Sequence, residues 1–201
     1  NIACLAAVAE RFDLTPPSER LTATADDFYD LSCDASPVPL CAPVALVQSD
    51  LLRPDPVLAT ALGTIDAATL WFPGTHAARE RDRLVRDHRL LTDEHYVVAV
   101  ELAAVRFAIE HLESGGFMQI VDRAAHSDPA VIAAAFRHRF ACMMEGTPLR
   151  LVEIAIIGYR EPTTGHAVAV HAFAPDRKGL PTWAVSAIFN RMPERRSGAV
   201  R

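Results

Sequence analysis

Leu151-Val152-Glu153-Ile154-Ala155-Ile156-Ile157-Gly158 is the stretch whose reading decides the fold class. Leu151, Glu153, Ala155 and Ile157 alternate with Val152, Ile154 and Ile156, and the run is rich in β-branched side chains. Alternation with period two puts one set of side chains on each face of a pleated strand, and β-branched residues fit that surface. Gly165–Phe173 and Trp183–Phe189 read as two more strands, reached through the turn residues Glu161-Pro162-Thr163-Thr164-Gly165 and Asp176–Gly179. Connections this short predict antiparallel neighbours, since a parallel pair needs a crossover of roughly a dozen residues.

Ahead of Pro148 the pattern is helical. Ser127-Asp128-Pro129 supplies a cap and a first-turn proline for a helix running to about Met144, where Gly146 closes it. Asp93–Leu112 reads as the longest helix, with Tyr96, Val97, Val100, Ala103, Ala104 and Phe107 inward and Gly115-Gly116 ending it, although Tyr96–Val100 alone also suits a strand. The alternating charges from Arg79 to Arg89 suit a solvated helical face. Trp71-Phe72-Pro73-Gly74 marks a turn, and Asp55-Pro56 opens a helix through Val57, Leu58, Leu62 and Ile65. Pro43, Val44, Leu46, Val47, Leu51 and Leu52 give a helix that starts at Cys41 and stops near Arg53. Thr24-Ala25-Asp26-Asp27 caps a short helix start at Phe28, Tyr29 and Leu31, and Ala3–Phe12 reads as a buried helix. The expected architecture is a single α+β domain over residues 1–201: a helical N-terminal three-quarters packed on a small C-terminal antiparallel sheet, with few strands elsewhere.

Half of the 201 residues are hydrophobic, enough for a real core, and the net charge of −5 carries no basic footprint for nucleic acid. The apolar runs Ile2–Ala9, Tyr96–Val105 and Leu151–Gly158 fall well short of the roughly 20 residues that span a bilayer. The chain opens on Asn1 without a basic stretch before its first apolar run, so it reads as a soluble piece of a longer protein, secreted or delivered with the rest. Cys4, Cys33, Cys41 and Cys142 are too sparse for a disulfide framework. Cys33 and Cys41 are close enough in sequence for a local bridge, but free thiols are the expectation, with Cys4 and Cys142 packed in helical cores.

A thiol is activated by a helix N-terminus, whose partial positive charge favours the thiolate, and by a nearby imidazole. Cys41 has the first on sequence grounds, and His166, which opens a strand in Gly165-His166-Ala167-Val168-Ala169-Val170, is the best partner for the second. Asn190 after the third strand, or Asp176 in the preceding loop, can orient that ring. Structural readings stand beside these: Cys41 as a buried inert thiol, His166 as a strand-end histidine bonded to backbone, Asp176 as a turn residue. His138 and Cys142, one helical turn apart, with His166 or His171, are the rival metal ligands, but no dense zinc-type motif exists and no cofactor is expected. Glu110, His111, Glu113, Asp82 and Asp87 are expected as surface charges.

Leu40-Cys41-Ala42-Pro43-Val44-Ala45-Leu46 and Gly165-His166-Ala167-Val168-Ala169-Val170 resemble the nucleophile helix and histidine strand of papain-like cysteine peptidases, in the branch of bacterial toxins and effectors. The resemblance departs at Ala42, where the group has glycine, and at Ala35, since no glutamine precedes Cys41 as oxyanion donor. It implies a papain-like fold and a thiol-dependent hydrolase or acyl transferase acting on peptide or amide bonds, with Cys41 as nucleophile, His166 as base and Asn190 or Asp176 as orienter. Its substrate would be a protein or peptide. The alternatives are a catalytically silent interaction domain and a glutamine deamidase or transglutaminase.

Overall fold

The computed structural model describes residues 19–23, 29–33, 50–53, 56–73, 82–90, 92–160 and 179–193. These fall into two compact units. The first holds the strands β1 (Glu19–Ala23) and β2 (Tyr29–Cys33) and the helices α1 (Pro56–Leu62) and α2 (Arg83–Asp87). In the second are β3 (Ile65–Trp71), α3 (Asp93–His111), β4 (Leu112–Ala125), α4 (Pro129–Met144), β5 (Leu149–Tyr159) and β6 (Thr182–Arg191).

In the first unit β1 and β2 form an antiparallel pair, with Leu21 opposite Leu31. Tyr29–Cys33 is therefore a strand rather than the expected start of a helix, because pairing satisfies backbone groups that a single helical turn leaves open. Asp82 caps α2 by accepting from the Leu84 amide at 3.1 Å and from Arg53 Nη2 at 2.6 Å. It is fully buried, not the surface charge its arginine-rich neighbourhood implied, because a carboxylate holding both a cap and a guanidinium can leave water.

The second unit is a four-stranded sheet in the order β3-β4-β6-β5. β3 runs parallel to β4, while β6 lies antiparallel to both β4 and β5. The sheet is thus mixed, and among the described residues helices and strands are interspersed rather than gathered into a helical N-terminal three-quarters and a C-terminal antiparallel sheet. Two strands expected as other things account for the correction. The helix begun at Pro56 stops at Leu62, since Gly63 takes a left-handed φ of 59°, and Ile65–Trp71 then extends as β3. After His111 the chain passes from helix straight into β4, where buried Met118 and Ile120 alternate with Phe117, Gln119 and Val121. Gly115-Gly116, read as a helix stop, instead permits the irregularity at the start of the β3–β4 pair. A Cβ on Gly116 would lie 2.9 Å from the Asp66 carbonyl oxygen.

Thr92 caps α3 by accepting from the His95 amide, and Asp128 caps α4 by accepting from the Ala130 amide with Pro129 in the first turn. Both helices cover the same face of the sheet. Ala104, Val105 and Ala108 of α3 and Ile132, Phe136, Phe140 and Met144 of α4 close on Met118, Ile120, Val185, Ala187 and Phe189. β5 and β6 form where the alternating pattern puts them and pair antiparallel. Gly165–Phe173 lies outside the described residues. So does Ala3–Phe12, as does most of Cys41–Arg53. Among the described residues no helix is long and apolar enough to cross a membrane.

Candidate functional site

The sheet of the second unit has a face that carries neither α3 nor α4. On it stand Thr69 and Trp71 from β3, Phe117, Gln119, Val121 and Arg123 from β4, Ser186, Ile188 and Asn190 from β6, and Ile157 and Tyr159 from β5, as their registers require. Trp71, Phe117 and Ile157 are 65%, 45% and 64% exposed, far beyond what large apolar side chains keep inside a domain. Trp71 is nonetheless held in place: its Nε1 donates to Gln119 Oε1 at 3.3 Å, and Gln119 Nε2 donates to Ser186 Oγ at 2.9 Å. This relay ties three strands together and pins the indole by its edge, leaving the ring open to a ligand.

Phe72 closes one end of that face. Its φ of 51° is in the left-handed region, unusual for a residue with a Cβ, and its amide donates to the Val121 carbonyl at 2.6 Å. The turn brings its ring within 5.5 Å of Tyr159 on the far edge strand and under the Arg123 guanidinium, 4.9 Å from the ring centre. Arg123 is almost fully buried there.

Beneath the other face lies a charged cluster that sequence reading missed. Glu101 of α3 is fully buried, and its Oε2 accepts from Arg139 Nη2 of α4. Arg139 Nη1 also stands 3.7 Å from Asp122 Oδ2 of β4. Its guanidinium lies over the rings of Phe136 and Phe140. Glu101 Oε1 and Arg139 Nε are buried without a hydrogen-bond partner. Burial pushes the Glu101 carboxyl up to about 7, with the Asp122 charge adding to the rise, while the Arg139 guanidinium pulls it back. At the start of β4, a hydrogen bond to Asp66 raises the exposed Glu113 carboxyl as well. The signal for Glu101 was present, since it sits four residues after Val97 and three before Ala104 on the inward stripe of α3.

Of the four residues expected to form a thiol site, Cys41, His166 and Asp176 lie outside the described residues. Asn190, near the end of β6, donates from Nδ2 to the Gly115 carbonyl at 3.2 Å. That bond uses the amide nitrogen, and the orienting role would need the side-chain oxygen. Cys142 is exposed on α4 rather than packed in its core, because the inward stripe is Ile132, Phe136, Phe140 and Met144 and Cys142 falls off it. His111 is buried rather than at the surface, its ring 4.6 Å from Phe107. Among the described residues, no three His, Cys, Asp or Glu side chains come together as metal ligands. Comparison with models of known families, with curated proteins and with solved structures returned no match to this chain.

Proposed function

We propose that the second unit is an interaction domain that binds an extended, apolar peptide segment of a partner protein on the face of its sheet opposite α3 and α4. The observation that carries this reading is Trp71, fixed by Gln119 and Ser186 yet 65% exposed. A rigid, open aromatic loses little freedom on binding and contributes much of the contact energy where it is buried. Size selects the occupant. Four strands about 4.8 Å apart and between 7 and 14 residues long present roughly 650 Å². That footprint falls short of the roughly 800 Å² per partner that a standard protein–protein interface buries, a second copy of this chain included. It matches an extended peptide of about ten residues.

Selecting displayed peptides on the intact chain, with Trp71→Ala and Ile157→Asp variants as counter-targets, tests the proposal. Peptides with alternating apolar residues should be enriched, and each variant should weaken their binding about tenfold or more, the usual scale for an aromatic anchor. Peptides that bind both variants as well as the natural chain would refute it. Concentration-dependent dimerisation abolished by the same variants would also do so, in favour of self-association.

A second reading, thiol-dependent hydrolysis or acyl transfer, rests on Cys41-Ala42-Pro43 and Gly165-His166, with Asn190 standing near a strand end on the face opposite α3 and α4. Iodoacetamide at neutral pH should label Cys41 faster than the exposed Cys142, and His166→Ala should abolish the difference. Slower labelling of Cys41 in the folded protein, read by peptide mass spectrometry, would leave the binding reading alone.

A further inference from the structure

We propose that the Glu101–Arg139–Asp122 cluster is a proton-binding site, in which one proton on Glu101 Oε1 couples the packing of α3, α4 and β4 to pH. Two carboxylates meet one guanidinium in a setting where Glu101 is fully buried and Asp122 nearly so. Ionised, Glu101 keeps a fully buried oxygen, Oε1, with no hydrogen-bond donor, and a charge so placed in a dry interior is expensive.

The hydrogen bonds say where the proton goes. Asp122 Oδ1 accepts the Arg123 amide at 2.7 Å, and Glu101 Oε2 accepts from Arg139, but Glu101 Oε1 has no donor. An oxygen without a donor is stabilised least as an anion, so it is the atom that takes the proton. Of the described charged groups, Glu101 meets Arg139 from α4 and Asp122 from β4. From β3 and β6 the helix-covered face receives the apolar Ile65, Ala68, Leu70, Val185, Ala187 and Phe189. The ligand is a proton because one oxygen suffices to hold it, whereas a metal ion needs several donors and no third acidic, histidine or cysteine side chain joins the two carboxylates among the described residues.

Protonated, Glu101 is a neutral acid packed among α3, α4 and β4. Deprotonated, it leaves a buried charged oxygen without a donor, which loosens their contact. The folded chain therefore holds this proton more tightly than the unfolded chain. Stability from this site is complete below the ordinary carboxylate range and is lost as pH rises through neutrality.

The test follows urea unfolding of the intact chain from about pH 5 to about pH 8, alongside Glu101→Gln and Asp122→Asn. The folding equilibrium of the natural chain should fall relative to that of Glu101→Gln by a factor on the order of 100 over this span. Asp122→Asn should move the midpoint of the fall to lower pH, since a charge that opposes ionisation is gone. Parallel pH profiles for the natural chain and Glu101→Gln would overturn the proposal. If Glu101→Gln does not fold, isotope-edited infrared spectra of the natural chain decide. A protonated glutamic acid band that persists to about neutral pH supports the site, and its absence at about pH 5.5 in the folded state refutes it.

Discussion

Replacing Arg139 by leucine is expected to destabilise the second unit by about 3–5 kcal/mol at about pH 8, the range for removing one partner of a buried ion pair. Its guanidinium is the cation bonded to Glu101, and it lies within 4 Å of Asp122 as well. Leucine keeps apolar contact with Phe136 and Phe140 but leaves the acids to repel each other. The loss must depend on pH, and its sign follows from the direction of the Glu101 shift. Arg139 pulls the Glu101 carboxyl down, so without it the group rises further above its ordinary value and ionises only at higher pH. The variant's stability should therefore fall more steeply with rising pH than the natural chain's, and its deficit should shrink toward about pH 5, where Glu101 is protonated in both. Urea midpoints for the two chains at both pH values measure this. A loss below about 1 kcal/mol at about pH 8, or an equal loss at both values, would show that the cluster does not hold its carboxylates as described.

The elements that were legible in the sequence announce themselves locally. The α4 helix carries its own cap and proline at Asp128-Pro129, α3 its polar start at Thr92-Asp93, and β5 its alternating β-branched run. The elements that were not legible depend on residues far away. In β3, Ala67 and Ala68 favour helix as much as strand, and what makes the segment a strand is its parallel pairing with Phe117–Val121 across the whole of α3. Leu112–Ala125 is long, but its two glycines resemble a helix stop, and only the close approach of the Asp66 carbonyl reveals why they are there. The site divides similarly. A thiol pattern can be read from short motifs around Cys41 and His166, whereas Trp71 matters because Gln119 and Ser186 reach it from other strands. Glu101, Asp122 and Arg139 each look like one charge among many until three elements bring them together.

Phe140→Ala should cost about 3–5 kcal/mol, because the lost transfer energy of a buried ring adds to the cavity it leaves. Phe140 is 1% exposed and stands edge-on to Phe189 of β6, with ring centres 5.2 Å apart and planes at 82°, and it also meets Phe136 one turn earlier on α4 at 5.7 Å. The edge-to-face geometry contributes beyond area, so two aromatic contacts go with the ring. Val131 on the same helix is 45% exposed, and Val131→Ala should change stability by no more than about 0.5 kcal/mol. The contrast between the two, from urea unfolding under one set of conditions, tests whether α4 presents the Phe136–Phe140 stripe to β6. Equal effects would mean that the helix is turned differently. The ring also lies under Arg139, whose guanidinium stands 5.9 Å from its centre. Losses from Phe140→Ala and Arg139→Leu should therefore fail to add, with an interaction of about 0.5 kcal/mol or more, as expected for residues in contact. Strict additivity in the double variant would separate the charged cluster from the aromatic core that surrounds it.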